Sequence, residues 1–369
     1  MEYKVISADN HLLEPRDLFV ERLPQQYRDR APRVMRMEDG GDGWSFNGNP
    51  PTRSFGIEAV AGREVRISGF TWEEILPGNY DGSAHLADMT GDGIDAAVLF
   101  PTVPLQAWSE ADEGYAMALI QVFNDWLFDT FVTPDPKRLI GLAMLPVNHE
   151  MDVVLAEFER CIKLGAKAFH IPAFPNRSYA DPWYDPLWAA AASANTPLCI
   201  HRTSGGIDPT GKSAFQFKVP GVNVAGTVTR FFSGVEPLTV FIYTGVFRRH
   251  PNLKIMDAEV NFGWVPFWAQ TMDDLFELQK GWAKFPIEET PSAALGRNVF
   301  VTVLDDRVGF RAVKDYPFLA DTALFCVDYP HSVCLWPNSA KHIARATEGC
   351  DPAAVQKILS GNAVKLFNL

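Results

Sequence analysis

Short apolar runs recur along the chain, separated by longer segments of helical periodicity. The runs are too short for helices, and they lack the polar alternation of a sheet with one solvated face. They therefore predict eight buried parallel strands, at residues 4–8, 94–100, 138–145, 166–171, 197–201, 253–258, 298–303 and 323–328.

Several of the intervening segments predict helices. These are residues 113–131, 152–164, 184–194 and 351–358. Gly165 follows the second of them and suits a left-handed C-cap, and Asp351 opens the fourth as an N-cap. Eight strands alternating with helices predict an α/β fold, a (β/α)8 TIM barrel. A doubly wound sheet is the alternative, but no GxGxxG motif follows the first strand.

Residues 21–80 do not follow this alternation of strands and helices, and they are rich in Gly, Pro, Arg and Asp. Within them, 44–46 and 64–67 have the composition of hairpin strands. We expect residues 1–369 to form a single metal-dependent barrel domain. Residues 21–80 would be an insertion after the first strand that covers the barrel mouth.

Composition narrows the classes of function. Of the 369 residues, 47% are apolar and 21% charged, as in a packed globular protein. The net charge of −12 repels phosphate backbones and anionic lipid, so we expect neither nucleic acid nor membrane as a partner. We expect no signal peptide and no membrane-spanning helix. Five dispersed cysteines without a CxxC pair predict reduced thiols in a cytoplasmic protein.

Chemistry in a TIM barrel sits at the carboxyl ends of the strands. Asp9 and His11 follow the first predicted strand, His201 closes the fifth and Asp328 closes the eighth. In an extended Asp9-Asn10-His11 segment, the first and third side chains point the same way. Imidazole and carboxylate donors without thiolates suit Zn²⁺ or Mn²⁺. The pattern predicts one divalent metal ion with a coordination position left for water or a substrate oxygen.

Beyond these residues, the sequence resembles a known family. This is the amidohydrolase-2 family, the aminocarboxymuconate-semialdehyde-decarboxylase-like branch of the amidohydrolase superfamily. The resemblance spans nearly the whole chain except the insertion, and the DYPHS motif is fairly specific when combined with the opening motif. The similar segments are residues 6–15 (ISADNHLLEP), 86–95, 182–188, 198–201, 245–254, 263–267 and 327–332 (VDYPHS).

The resemblance implies a metal-dependent barrel enzyme in which Asp9, His11, His201 and Asp328 are the metal ligands. The chain departs from the family pattern at three positions. Asp9 stands where many relatives have the first His of His-x-His, which adds negative charge and favours Mn²⁺. Glu259 stands where the characterised decarboxylases have a His. His85 stands where they have an Arg that binds the substrate carboxylate, so we take His85 as a substrate-binding candidate.

Three further residues have two interpretations each. His170 lies within an apolar strand and is either a core histidine or a pocket residue with a catalytic role. Arg202 follows His201 and either binds an anionic substrate group or forms a surface salt bridge. His331, in the DYPHS motif, either binds a ligand carboxylate or fixes the loop.

The leading hypothesis is a metal-dependent lyase that removes CO2 from a small aromatic or conjugated carboxylic acid. Asp328 would deliver a proton to the carbon that bears the carboxylate, and Glu259 would bind substrate or tune the metal. The alternative is hydrolysis of an amide, lactone or C–C bond by a metal-activated water. A third possibility is a barrel that has lost its metal and serves as a binding protein. The family resemblance, together with the aromatic residues of the insertion and Phe231-Phe232, predicts a homodimer or higher homo-oligomer.

Overall fold

The structure is a computed structural model that describes residues 2–51, 53–56, 58–66, 68–202, 204–205 and 222–369. Its strands are β1 (Ile6–His11), β2 (Arg33–Arg36), β3 (Asp42–Ser45), β4 (Arg53–Ser54), β5 (Ala96–Phe100), β6 (Leu139–Met144), β7 (Ala168–His170), β8 (Leu198–His201), β9 (Ile255–Ala258), β10 (Val299–Val303) and β11 (Ala323–Phe325). Its α-helices are α1 (Leu18–Arg22), α2 (Gly82–Gly91), α3 (Glu113–Trp126), α4 (Met151–Leu164), α5 (Asp185–Ala194), α6 (Val222–Arg230), α7 (Val235–Tyr243), α8 (Val246–Arg249), α9 (Val265–Ala283), α10 (Arg307–Ala312), α11 (Leu319–Thr322), α12 (Ser339–Ala346), α13 (Pro352–Gln356) and α14 (Asn362–Phe367). Short 3-10 turns lie at Gln25–Arg30, Trp72–Glu74, Pro77–Asn79, Val103–Ser109, Pro182–Tyr184 and Pro291–Ala294.

Eight parallel strands form one sheet in the order β1-β5-β6-β7-β8-β9-β10-β11. The two edges of this sheet meet, because the N–H of Asp328 donates to the carbonyl of Asp9 at 2.9 Å and the N–H of His11 donates to the carbonyl of Tyr329 at 2.7 Å. The predicted (β/α)8 TIM barrel is confirmed, and each predicted apolar run overlaps one barrel strand. The first strand runs further than predicted, so Asp9 and His11 lie within it rather than after it.

The predicted helices are also found. Residues 113–131 form α3 followed by a π-helical turn at Leu127–Phe131. Gly165 ends α4 with φ 102°, a left-handed conformation that glycine adopts without steric cost. The carboxylate of Asp351 accepts hydrogen bonds from the N–H groups of the first turn of α13. None of the described helices combines the length and the apolar character needed to cross a membrane.

The core has two layers. Alternate strand residues such as Ala8, Val98 and Met256 fill the barrel interior, and Leu366 and Phe367 of α14 belong to the same buried cluster. The intervening strand residues pack outward against the helices in a larger cluster. The strands are apolar on both faces because both faces are covered.

Within residues 21–80, strand β3 pairs antiparallel with β2 on one side and β4 on the other. The predicted strand 44–46 overlaps β3, but the predicted strand 64–67 is wrong for residues 64–66, which are not in a strand, while Ile67 lies outside the described residues. β3 already has a neighbour on each edge, so residues 64–66 cannot form a hairpin with it.

The large aromatic side chains of this segment are not exposed, contrary to the expectation behind the predicted self-association. Trp44, Phe55 and Trp72 are buried and contact one another edge to face, with ring centroids 5.7–6.5 Å apart. The segment also contacts the barrel mouth, because the N–H of Ala61 donates to the carbonyl of Pro330, which follows β11.

Glu14 connects the exits of two strands, and this contact is testable. Its buried carboxylate accepts hydrogen bonds from the N–H groups of Thr102 (3.1 Å) and Val103 (2.9 Å) after β5. The Glu14→Ala variant leaves two buried donors unpaired, at about 1–3 kcal/mol each. We predict that urea denaturation will show a free energy of unfolding lower by about 2–6 kcal/mol. Glu14→Gln keeps one acceptor and should lose less, and an Ala variant as stable as wild type would contradict this role.

Candidate metal centre

The four predicted metal ligands converge at the barrel mouth. Nε2 of His11 lies 3.0 Å from Nε2 of His201, 3.3 Å from Oδ1 of Asp9 and 3.5 Å from Oδ1 of Asp328. Nε2 of His201 lies 3.7 Å from Oδ1 of Asp9. Asp9 and His11 come from β1, His201 ends β8 and Asp328 follows β11, so rigid barrel elements hold all four side chains.

This donor set fits a divalent cation. Ligand atoms around one ion with bonds of about 2.1 Å are separated by about 3.0–3.4 Å, close to the 3.0–3.7 Å measured between these atoms. Both carboxylate oxygens of Asp9 are buried and accept no hydrogen bond from the described residues. Imidazole nitrogens combined with carboxylate oxygens suit Zn²⁺ or Mn²⁺.

His331 lies directly against these ligands. Its Nδ1 is 2.8 Å from Oδ1 of Asp328, and its ring stacks on His11 with centroids 3.9 Å apart. His11, Asp328 and His331 form a second group of donor atoms that shares His11 with the first. The structure therefore brings His331 to the site, in contact with the Asp328 carboxylate, and its role in binding a ligand carboxylate stays a prediction.

A second ion pair borders the centre. Oε2 of Glu259, just after β9, lies 2.6 Å from Nε of Arg202 and 3.6 Å from Nε2 of His201. The N–H of Glu259 donates to the hydroxyl of Thr302 at 2.7 Å, which fixes the backbone at this position. Nη1 of Arg202 is buried without a hydrogen-bond partner among the described residues. Arg202 is thus paired with a buried carboxylate rather than in a surface salt bridge, and its role in binding an anionic substrate group stays a prediction.

Burial and mutual repulsion disfavour the ionised form of the carboxyl groups at the site. Burial raises the pKa of Asp328, and the nearby charge of Asp9 raises it further. Burial also raises the pKa of Glu259, with a second contribution from Asp328, whereas Arg202 opposes both shifts. Such carboxyl groups lose a proton readily only when positive charge is supplied nearby. A bound divalent cation would supply that charge.

A sequence model of the amidohydrolase family matches residues 77–369, well over half of the chain. The chain belongs to the amidohydrolase family.

Several individual proteins are similar to this amidohydrolase. The 2-amino-3-carboxymuconate-6-semialdehyde decarboxylase of Dictyostelium discoideum is 27% identical over 197 residues, which cover 53% of this chain and 52% of that protein. The chain thus matches about half the length of this relative.

Two solved structures share the fold. An amidohydrolase of Mycobacterium avium subsp. paratuberculosis K-10 is 21% identical with a TM-score of 0.81, covering 100% of this chain and 99% of that one. The 5-carboxyvanillate decarboxylase of Novosphingobium aromaticivorans DSM 12444, solved with manganese and 3-methoxy-4-hydroxy-5-nitrobenzoic acid, is 21% identical with a TM-score of 0.68, covering 100% and 97%. At these identities the likeness shows the fold of the barrel.

In this amidohydrolase, His170 lies in the wall of the site. Its Nδ1 contacts the carbonyl of Cys199 at 2.9 Å, and its ring is edge-on to Phe100, Trp108 and His201. Burial lowers the pKa of His170 to about 3, so the ring is neutral. A neutral ring whose Nδ1–H donates to a backbone carbonyl lines the site, and a catalytic role for His170 stays a prediction.

His85 is not brought into the site, which corrects the prediction that it binds substrate. Its Nδ1 contacts the carbonyl of Gly78 at 2.7 Å, and its Nε2 contacts Nδ2 of Asn10 at 3.1 Å. Burial lowers the pKa of His85 to about 4. Both ring nitrogens are engaged within the protein and the ring is fully buried, so His85 holds neighbouring groups rather than a ligand.

Sequence reasoning missed the network that His85 supports. The amide oxygen of Asn10 accepts a hydrogen bond from the Ser7 hydroxyl at 2.7 Å, and the same hydroxyl accepts from the N–H of Val327 at 2.8 Å. The network therefore couples the β1 segment that carries Asp9 to the segment that carries Asp328. The alternation of side chains along Asp9-Asn10-His11 could have indicated this network, because it points Asn10 away from the two ligands.

Loss of one ligand tests the centre. We predict that His201→Ala will lower manganese content per chain after loading and desalting, with circular dichroism unchanged, because a nitrogen donor is removed without disturbing the strand. Elemental analysis measures the metal. His149→Ala, which changes a histidine outside the site, should keep the wild-type content. A full metal complement in His201→Ala would remove His201 from the ligand set.

Proposed function

We propose that this amidohydrolase is a metal-dependent carboxy-lyase that removes CO2 from a small aromatic or conjugated carboxylic acid. The observation that carries the proposal is the buried group of Asp9, His11, His201 and Asp328, next to the cationic side chain of Arg202. The Dictyostelium relative is a decarboxylase, and the Novosphingobium decarboxylase was solved with manganese and a substituted benzoic acid.

We propose one divalent ion held by these four ligands, with Mn²⁺ ahead of Zn²⁺ because Asp9 adds a carboxylate oxygen where a nitrogen donor is common. When bound, such an ion supplies positive charge that binds and orients a substrate oxygen.

Side chains of this protein would bind the substrate and orient its ring. The free part of the Arg202 guanidinium matches a carboxylate or another anionic group of the substrate. Phe100, Trp108 and His170 offer ring edges and faces against which a flat ligand can lie. Glu259 holds Arg202 in place through the 2.6 Å contact with its Nε. We infer that these groups fix the ring in one plane before reaction.

Asp328 is the proposed proton donor. With the cation bound, Asp328 would rest as a carboxylate, and a proton that it takes up during the cycle is protected from solvent because the group is fully buried. Transfer of that proton to the carbon bearing the carboxylate forms a C–H bond. The C–C bond then breaks, its electron pair restores the conjugated ring, and CO2 leaves. The carboxylate of Asp328 regains a proton from water in the next cycle.

Hydrolysis by the same centre is the second candidate, since the buried carboxylates also suit a general base for a metal-activated water. Incorporation of solvent oxygen into the organic product distinguishes the two reactions. In H2¹⁸O, with a panel of hydroxylated benzoic acids as probes, we predict CO2 release and a product without ¹⁸O. An ¹⁸O-labelled organic product would establish hydrolysis instead. No turnover of any probe by the manganese-loaded protein would favour a barrel that only binds ligands.

The proton role of Asp328 has its own test. Asp328→Asn preserves size and an oxygen donor but carries no transferable proton. We predict that it will bind substrate nearly as well as wild type and lose turnover by about 10²-fold or more. Steady-state kinetics at matched metal content measures both effects. Near wild-type turnover with metal bound would move the proton role to Glu259.

We also propose that the protein works in the cytoplasm as a homodimer or higher homo-oligomer. All five cysteines are free thiols, three of them buried, which suits a reducing compartment. Self-association is supported by large apolar side chains on the outer surface, including Phe232, rather than by the insertion, whose aromatic rings are buried.

A further inference from the structure

The segment between α6 and α7 reaches the border of the candidate metal centre. It consists of residues 231–234, and we call it the α6–α7 connection. At its first residue, the ring centroid of Phe231 lies 5.8 Å from the guanidinium carbon of Arg202, within the range of a cation–π contact. Since Arg202 also pairs with Glu259, the connection contacts the site through Arg202.

The last residue of the connection is packed unusually closely. A β-carbon at Gly234 would lie 2.0 Å from Oδ2 of Asp257 and 3.1 Å from its Cγ. The φ of Gly234 is −67°, which any residue can adopt, so the backbone conformation does not require glycine here. Glycine is required by the close approach to the Asp257 carboxyl group.

Asp257 is a buried acid that the proposed reaction does not use. Its neighbours in β9, Met256 and Ala258, belong to the interior cluster of the barrel, so the Asp257 side chain points outward, toward α7. It is fully buried, and neither of its carboxylate oxygens has a hydrogen-bond partner among the described residues. Burial of such a group costs stability, so its place is better explained by what it positions.

Asp257 also lies close to the backbone of Arg202. The N–H of Arg202 donates to the carbonyl of Ala258 at 3.2 Å, next to Asp257 on β9. Burial raises the pKa of Asp257 and the charge of Asp9 raises it further, whereas the N–H and the guanidinium of Arg202 oppose the shift. The two ends of the α6–α7 connection therefore contact the two parts of one small assembly, Arg202 and Asp257.

We propose that the α6–α7 connection positions the Arg202 guanidinium for an anionic substrate group, and that the contact of Gly234 with Asp257 seats the connection. Phe231 then lies against the guanidinium while Glu259 holds its Nε at 2.6 Å. Phe231, Gly234 and Asp257 are positioning residues, because they act through Arg202. The inference rests on the proposed function, in which Arg202 binds the anionic group.

Preordering of this side chain has a specific consequence for ligand binding. An arginine that is free to rotate has to be ordered by the ligand, and this cost lowers affinity. An arginine that is already held loses less freedom when it binds a carboxylate. The gain is confined to ligands that contact Arg202, so it separates positioning from a general effect on the fold.

Calorimetry on the manganese-loaded protein tests the seating contact in Gly234→Ala. We expect the Kd of a hydroxybenzoic acid from the panel to rise about 10-fold, as for loss of one preordered side chain, and the Kd of the phenol that lacks its carboxylate to stay unchanged. For an acid that is turned over, KM should rise while kcat is kept. The control is Gly281→Ala on α9, where a β-carbon meets nothing within 4 Å.

Two outcomes separate this inference from the proposed function. If wild type binds the acid and Gly234→Ala binds it equally well, or loses affinity for acid and phenol alike, the positioning role is wrong and the proposed function stands. If wild type binds no acid of the panel, the proposed function is wrong and the role of Arg202 falls with it.

A rescue variant tests whether Asp257 is the partner of Gly234. Gly234→Ala/Asp257→Ala removes the carboxyl group that the new methyl group would meet, so it should bind the acid more tightly than Gly234→Ala does. A double variant that binds the acid no better than Gly234→Ala would overturn the seating contact.

Phe231→Leu tests the other end of the connection without touching the seating contact. Phe231 is only half-buried, so we expect this variant to fold as wild type does. Loss of the cation–π contact should raise the Kd of the acid about 2–5-fold and leave that of the phenol unchanged. An unchanged Kd for the acid would show that Phe231 does not hold Arg202 and would overturn the proposal.

Discussion

Three carboxyl groups, those of Asp9, Glu259 and Asp328, share one buried space at the barrel mouth. When all three are ionised they carry three negative charges, and the guanidinium of Arg202 offsets one of them through its contact with Glu259. The two remaining charges equal the charge of one divalent cation. Without compensation, like charges at this depth would force protons onto the carboxyl groups. The placement of the surrounding side chains is best understood as a way to hold this group together.

Barrel closure is what brings the group together. Asp9 lies near one end of the sequence and Asp328 near the other, and hydrogen bonds between their backbones join the first and last strands. Both Asp328 and Glu259 have positive φ, 59° and 61°, a conformation that non-glycine residues adopt at a cost. The closed sheet and the contacts of His331 and Thr302 keep these residues in place. Backbone strain therefore falls on the residues assigned to proton transfer and to binding.

Much of this arrangement could be predicted from the sequence, because parallel barrel strands are short apolar runs and their carboxyl ends meet at one mouth. That rule places Asp9, His11, His201 and Asp328 together without knowledge of side-chain positions. The prediction for His85 came from the family resemblance and not from this rule, and it fails because the ring of His85 lies against Asn10 and Gly78.

The segment between β1 and α2 was harder to predict because tertiary contacts decide it. Aromatic residues in a Gly- and Pro-rich stretch look exposed, but Trp44, Phe55 and Trp72 pack together and are part of the larger buried cluster around the barrel. The position of Trp108 was not predicted either, because a 3-10 turn after β5 places its ring against His170.

We propose that one divalent cation compensates the buried carboxyl groups at the barrel mouth. Anomalous X-ray diffraction at the manganese edge, on crystals of the manganese-loaded protein, locates such a cation. We expect a single strong peak within bonding distance of Oδ1 of Asp9, Nε2 of His11, Nε2 of His201 and Oδ1 of Asp328. A fully loaded crystal with no peak among these four atoms, or with its manganese bound elsewhere, would contradict it.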